Sequence, residues 1–395
     1  MAELFCMNLL DLPLGEKIQL SCVGADKDNR FSCVATAERM IKRDRYGREM
    51  QVVRIDNGLL SFLTVVERAL DLDDLRLSGE KMSWDKTENA FLHPDSVDLK
   101  VSQGWEKGFF AAITTLGPEI FGTPDEIRSM HGTGAYSQAD PKTVQISFDG
   151  TWLSLEGTVP IKGFEERTVY EKKVRICTKL NTASLIRFET TRNLTEERQP
   201  IDDGFHMQLA GRYMEEGGQY VLPVARERML LRDSVPEEID PLTIYPYAEK
   251  CDPIRCYQYI PERVYGLETI PEIALYSVLP EIASDMISSG LISEKARLTA
   301  EMVRNAKGNG AAYIVRSLDA FPRTLLAKRA VEEPMYAIEP CKTRPNSLRQ
   351  KAIDGELQYI APGGKSKSWI VVGFSKEEET IARIQRQIEN SARVV

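Results

Sequence analysis

The chain has 395 residues and only three histidines, the one side chain whose ordinary titration range spans neutral pH. His206 lies in "DDGFHMQLAG", where strand alternation places Phe205, Met207 and Leu209 on one face and His206 with Gln208 on the other. An imidazole on that polar face is either exposed, paired with Asp202 or Asp203, or part of a site. His131, in "SMHGTGAY", is followed by Gly132 and Gly134, which permit close backbone approach and unusual φ values and suit a binding loop or an ordinary turn equally. His93 precedes Pro94 and reads as structural or near the surface. Glu339 ends the apolar run "MYAIE" just before Pro340, which cannot donate to a ladder and is expected to end the strand. A carboxylate there needs hydrogen bonds, a ligand, or an ion pair with Lys342 or Arg344, because stranding it without water is costly.

These residues need elements to hold them, and most of the sequence reads as strands. "TVQISFDG", "TWLSLEGTVP", "RTVYEKKVRICTKL" and "ASLIRFETTRNL" follow one another between residues 143 and 194, each with period-2 stretches broken by Gly, Pro or Asn. Their short spacing predicts antiparallel sheet. Upstream, Asp56, Asn57 and Gly58 in "MQVVRIDNGLLSFLTVVERALDL" predict a hairpin turn, and "GGQYVLPVA" and "SKSWIVVGF" continue the pattern downstream. Two stretches break it. Residues 280–308 are rich in Ala, Glu, Met and Lys and predict a helical insertion ended by Gly308. Residues 376–392 predict a closing helix, with a capping-box pattern in Ser375 and Glu378 and with Ile381, Ile384 and Ile388 on one face to pack against a sheet. The economical architecture is one mainly β domain over residues 51–395, a large antiparallel β-sandwich, with residues 1–50 as an N-terminal layer packed on it.

Composition narrows the function classes. Hydrophobic residues make up 42% of the chain, enough for a sizeable core, and the net charge of −8 with scattered Lys and Arg leaves no basic footprint for nucleic acid. Glu3 and Asp11 stand where a signal peptide would need basic residues and then an apolar run, and no window has the roughly 18 uncharged apolar residues of a membrane span. Seven cysteines without a CxxC pair suit reduced thiols. A soluble, cytoplasmic protein is expected, with no nucleic-acid or membrane partner; a homo-oligomer is left open.

The phrases "DNGLLSFLTVVERALDL", "GWEKGFFAAITTLG", "HGTGAYSQAD", "NLTEERQPIDDGFHMQLAG" and "YAIEPCKTRPN…APGG", taken in order over roughly residues 50–375, resemble the aldose 1-epimerase (galactose mutarotase) superfamily. They are most similar to a little-characterised bacterial aldose-1-epimerase-like family. The resemblance implies the galactose mutarotase-like supersandwich, a small-molecule carbohydrate as partner, and an isomerase that needs no cofactor. It also implies roles: His206 as the acid that protonates the sugar ring oxygen, Glu339 as the base that takes the anomeric hydroxyl proton, and His131 as a hydrogen-bonding group to the ring or anomeric oxygen. Arg68 in "VERALDL" matches the family's arginine and would bind substrate, and Trp105 in "QGWEKGFF" would stack on a pyranose face. Asp71, Arg212 and Glu262 are further substrate-binding candidates, each with a structural ion pair as its rival reading. The chain departs from the pattern at Ala69, where the family usually has Gly, in a longer helical stretch around 276–300, and in its first 50 residues.

Two other functions use the same residues. His131, His206 and Glu339 are a reasonable three-ligand set for a divalent metal, which would support epimerisation or isomerisation of a keto or aldo sugar at a carbon centre. A carbohydrate-binding protein without turnover is the third reading, and a matched acid and base count against it.

Overall fold

The computed structural model describes residues 5–26, 29–84, 91–102, 104–126, 128–163, 167–209, 213, 215–231, 242, 255–270, 296–329 and 335–393. Two antiparallel sheets dominate. In spatial order the nine-stranded sheet contains Phe5–Asn8, Gln145–Phe148, Trp152–Lys162, Thr168–Lys179, Ser184–Asn193, Lys365–Ser375, Ala311–Ser317, Leu298–Arg304 and Gln219–Val221. The twelve-stranded sheet runs from Leu230–Leu231 through Arg255–Tyr259, Arg323–Arg329, Met335–Cys341, Gly204–Leu209, Ile113–Leu116 and Asp71–Leu77 to Leu60–Val65, Glu49–Asp56, Asn29–Arg43 and Lys17–Asp26, and its twelfth strand, Glu80–Lys81, pairs off this path with Asp71–Leu77. The strands expected between residues 143 and 194 all form, as does the hairpin around Asn57, whose buried side chain accepts from the Leu59 and Leu60 amides.

Alternation along the strands sorts residues into layers. Phe205, Met207, Leu209, Ile338 and Leu326 of the larger sheet meet Ile146, Leu155, Val174, Ile176 and Ile370 of the smaller one in the main core. The outer face of the nine-stranded sheet is covered by the closing helix, Glu378–Ala392, through buried Ile381, Ile384 and Ile388. The outer face of the twelve-stranded sheet carries Leu116, Cys256, Leu325, Ala327, Ala337 and Cys341, roofed by Trp105, Phe109, Phe121 and Tyr136 from the loops. The result is a galactose mutarotase-like supersandwich with one helix behind it and an aromatic layer in front.

Four local expectations are corrected. Leu298–Arg304, inside the stretch expected to be helical, is a strand between Gln219–Val221 and Ala311–Ser317. Its helix-favouring Ala, Glu and Met are outweighed by a position buried on both faces, and Gly308 serves the following hairpin; residues 280–295 lie outside the described residues. The described N-terminal residues join the two sheets: Phe5–Asn8 pairs with Gln145–Phe148, and Lys17–Asp26 with Asn29–Arg43 extends the larger sheet from Glu49–Asp56. The capping box is not made, because Glu377 is the N-cap and Ser375 Oγ accepts from the Glu377 amide instead. Pro340 does not end its strand, which runs on to Cys341 with Pro340 opposite Thr324.

No described helix is long and apolar enough to cross a membrane.

Candidate active site

His206 sits on the strand Gly204–Leu209, between Ile113–Leu116 and Met335–Cys341. It pairs with Thr114 on one side. On the other, the register Gly204–Cys341 and Met207–Ile338 sets it opposite Glu339. The ladder skips the two positions between these pairs, where Pro340 has no N–H to give. Thr114, His206 and Glu339 therefore stand side by side on the face away from the main core. His206 Nε2 lies 3.2 Å from Glu339 Oε1, and the two residues are 6% and 1% exposed. The rival partners are committed elsewhere: Asp202 to Lys351, Asp203 near Lys172, Arg344 to Glu356, and Lys342 to the Ala320 carbonyl.

The aromatic roof encloses the pair. The Phe109 ring is 4.6 Å from His206, and Trp105 and Phe121 are 4.8 and 5.4 Å from His131. The two imidazoles are 6.4 Å apart and nearly perpendicular. His131 occupies a left-handed conformation at φ +59°, which costs a non-glycine residue on the order of 1–2 kcal/mol and is tolerated where the surroundings overdetermine it. Its amide donates to the Gly122 carbonyl, its carbonyl accepts from the Gly117 amide, and its Nδ1 accepts from the Gly122 amide at 3.2 Å. The following glycines are required by proximity, since a Cβ on Gly132 or Gly134 would sit 2.9 or 2.5 Å from the Gly117 carbonyl oxygen.

The other candidates separate into groups. Trp105 is 1% exposed and packs against Phe109, His131 and Tyr136, so it builds the wall. Arg68 spends its fork on the backbone: Nε donates to Ala135 O, Nη1 to Leu92 O and Gly108 O, and the guanidinium lies between the Phe110 and Tyr136 rings. It braces the segments that carry Trp105, Phe109 and His131. Ala69 beside it takes φ +52°, a region glycine enters without strain, so the departure from the family pattern falls where backbone shape favours Gly. Asp71 points between the sheets, accepting from Thr115 N and Oγ1 with Arg187 at 3.7 Å; burial raises its carboxyl to about 6. Glu262 pairs with Arg228. Arg212 lies outside the described residues. His93 caps the turn at Pro94–Ser96, its Nδ1 accepting from the Asp95 amide.

Several participants carried no sequence signal beyond alternation. Gln208 shares the His206 face, and its Nε2 donates to Thr114 Oγ1. Glu119 lies under the His131 turn, accepts from the Thr133 amide, and has its carboxyl raised by burial to about 6. For a metal, His131 offers only Nε2, since Nδ1 is engaged, and His206 Nε2 already faces Glu339. Among the described residues no group of three His, Cys, Asp or Glu side chains is arranged to hold a metal ion.

No curated protein matches the chain in sequence. Solved structures match it in fold. Two are described as "putative aldose 1-epimerase": one from Klebsiella pneumoniae has 14% identity, TM-score 0.76, and 96% of this chain matched to 97% of that one. The other, from Escherichia coli K12, has 11% identity and TM-score 0.51, with 83% of this chain matched to 100% of that one. A galactose mutarotase-like protein from Clostridium acetobutylicum has 10% identity and TM-score 0.52, matching 85% of this chain to 98% of its own. At these identities the likeness is one of fold. The family described as "Domain of unknown function (DUF4432)" matches residues 47–266, more than half of the chain, and the protein belongs to that family.

Proposed function

We propose that the protein is a sugar epimerase of the aldose 1-epimerase type, an isomerase that interconverts the anomers of an aldose or sugar derivative. The observation that carries this reading is the buried contact of His206 Nε2 with Glu339 Oε1 at 3.2 Å on the roofed face of the larger sheet. The ring and anomeric oxygens of a sugar are bonded to one carbon, so an adjacent acid and base can serve both. Glu339 takes the proton of the anomeric hydroxyl, the carbonyl forms as the bond from C1 to the ring oxygen breaks, and His206 protonates that oxygen. Rotation about the C1–C2 bond presents the other face of the aldehyde, and the reverse transfers close the ring in the other anomer. His131 hydrogen-bonds the ring or anomeric oxygen through Nε2.

The surroundings fit a hydroxyl-rich ligand. The Trp105 indole N–H and the Gln208 amide oxygen are buried without hydrogen-bond partners among the described residues, one a donor and one an acceptor. The reading needs no cofactor, and seven cysteines without a CxxC pair favour a cytoplasmic protein.

The test is NMR exchange spectroscopy of α/β interconversion across aldoses, uronates and deoxy sugars. Glu339→Gln should slow the accelerated exchange by about 10²–10⁴-fold, the usual contribution of a positioned acid or base, while leaving sugar binding intact. Absence of acceleration with every sugar, together with a stoichiometric metal lost in His131→Ala or His206→Ala, would replace this reading with metal-dependent chemistry at a carbon centre.

A further inference from the structure

The buried pair Lys351 and Asp202 has no part in the proton transfers above, yet it is bonded to the peptide that faces His131. Both residues are fully buried, with Lys351 Nζ 2.5 Å from Asp202 Oδ2. Asp202 Oδ2 also accepts from the Phe121 amide at 2.9 Å, Asp202 Oδ1 accepts from Thr343 Oγ1 at 2.6 Å, and the Asp202 amide donates to the Pro118 carbonyl at 2.7 Å. Lys351 Nζ donates in addition to the carbonyl oxygen of Phe121. That oxygen belongs to the same planar peptide unit as the Gly122 N–H, which points the opposite way and donates to His131 Nδ1.

A cation on the oxygen of a peptide fixes the plane and polarises its N–H. A backbone N–H can only donate, so His131 Nδ1 must accept, and the ring must carry its single proton on Nε2. Protonating Nδ1 would set one N–H against another. We propose that Lys351 and Asp202 are positioning residues that act through the Phe121–Gly122 peptide to lock His131 as a neutral Nε2–H donor to the ligand. The inference rests on the reading of His131 as a group that touches substrate. It assigns that group one protonation state and one direction of hydrogen bonding: His131 gives a proton-bearing contact to a sugar oxygen and does not act as a second base.

Long-range ¹H–¹⁵N correlation on protein labelled at its histidines tests this directly, with His131→Gln identifying the signals among three residues. In the native protein His131 should show a bare Nδ1 and a protonated Nε2 at about pH 8, where an ordinary imidazole is neutral. Removing both charges together in Asp202→Asn/Lys351→Met avoids an isolated buried ion. In that variant the Nδ1–H tautomer should appear, the midpoint of His131 protonation should rise, and any anomer exchange should slow about tenfold, the loss of about one hydrogen bond. Thr343→Val, which removes one bond to Asp202 Oδ1, should give the same changes in smaller size and decides the matter if the double variant does not fold. An Nδ1–H tautomer in the native protein, or a His131 spectrum unchanged in the variants, would overturn the proposal. If the tautomer behaves as stated but no sugar is exchanged, the epimerase reading fails while the lock stands.

Discussion

Arg68→Lys separates two accounts of the arginine that the family resemblance singles out. The structure ties its guanidinium to three carbonyls on three chain segments, Ala135 O at 2.5 Å, Gly108 O at 2.9 Å and Leu92 O at 3.2 Å. The Phe110 and Tyr136 rings flank it at 4.5 and 4.1 Å. A lysine keeps the charge but replaces a rigid fork by a point donor on a thinner stem. One carbonyl can keep its partner and two are stranded in a buried site, each at about 1–3 kcal/mol, so the expected loss is about 2–6 kcal/mol. Urea unfolding followed by tryptophan fluorescence should show the midpoint falling accordingly with the slope unchanged. Because Arg68 braces the segments that carry Trp105, Phe109 and His131, sugar turnover should fall as well. A variant as stable as the native protein to within about 0.5 kcal/mol, the range of an unremarkable surface substitution, but weaker in sugar binding would refute the bracing role and return Arg68 to the ligand.

Glu119→Gln should stabilise the protein near pH 8 by about 2 kcal/mol and have no such effect near pH 4. Burial raises this carboxyl from 4.5 to about 6 in the folded state, so its neutral form favours folding below 4.5 and that advantage is lost as pH rises through 6. Stability of both proteins measured across this range would show the two curves converging in acid, and parallel curves would count against the assignment. Ile384→Ala, at the centre of the closing helix and fully buried against the nine-stranded sheet, should cost about 2–5 kcal/mol through lost contacts and a cavity. Anomer exchange in the folded variant should be unchanged, because the helix lies on the opposite side of the molecule from His206. A loss of rate without a loss of stability would contradict that layering.

Local periodicity determined much of this protein. Alternation in "GFHMQL" is enough to separate His206 and Gln208 from Phe205, Met207 and Leu209, and the structure sends these sets to the front and to the core. The isoleucine stripe of the closing helix and the strands between residues 143 and 194 were legible for the same reason: side-chain spacing within one element decides which face is apolar. Tertiary structure decided the rest. Leu298–Arg304 has helix-favouring residues, and only its place between two strands makes it a strand. Which carboxylate faces His206 depends on the register between strands far apart in sequence, so Asp202 and Asp203, its near neighbours, are paired elsewhere while Glu339 arrives from across the ladder. Arg68 reads as a ligand-binding fork until three loops close around it. His131 is held from behind by a peptide that Lys351 and Asp202 grip from two further segments. Residue type and spacing set which groups were available for chemistry; long-range pairing set their partners, because hydrogen bonds and ion pairs in a buried site depend on angstrom-scale geometry that no local pattern encodes.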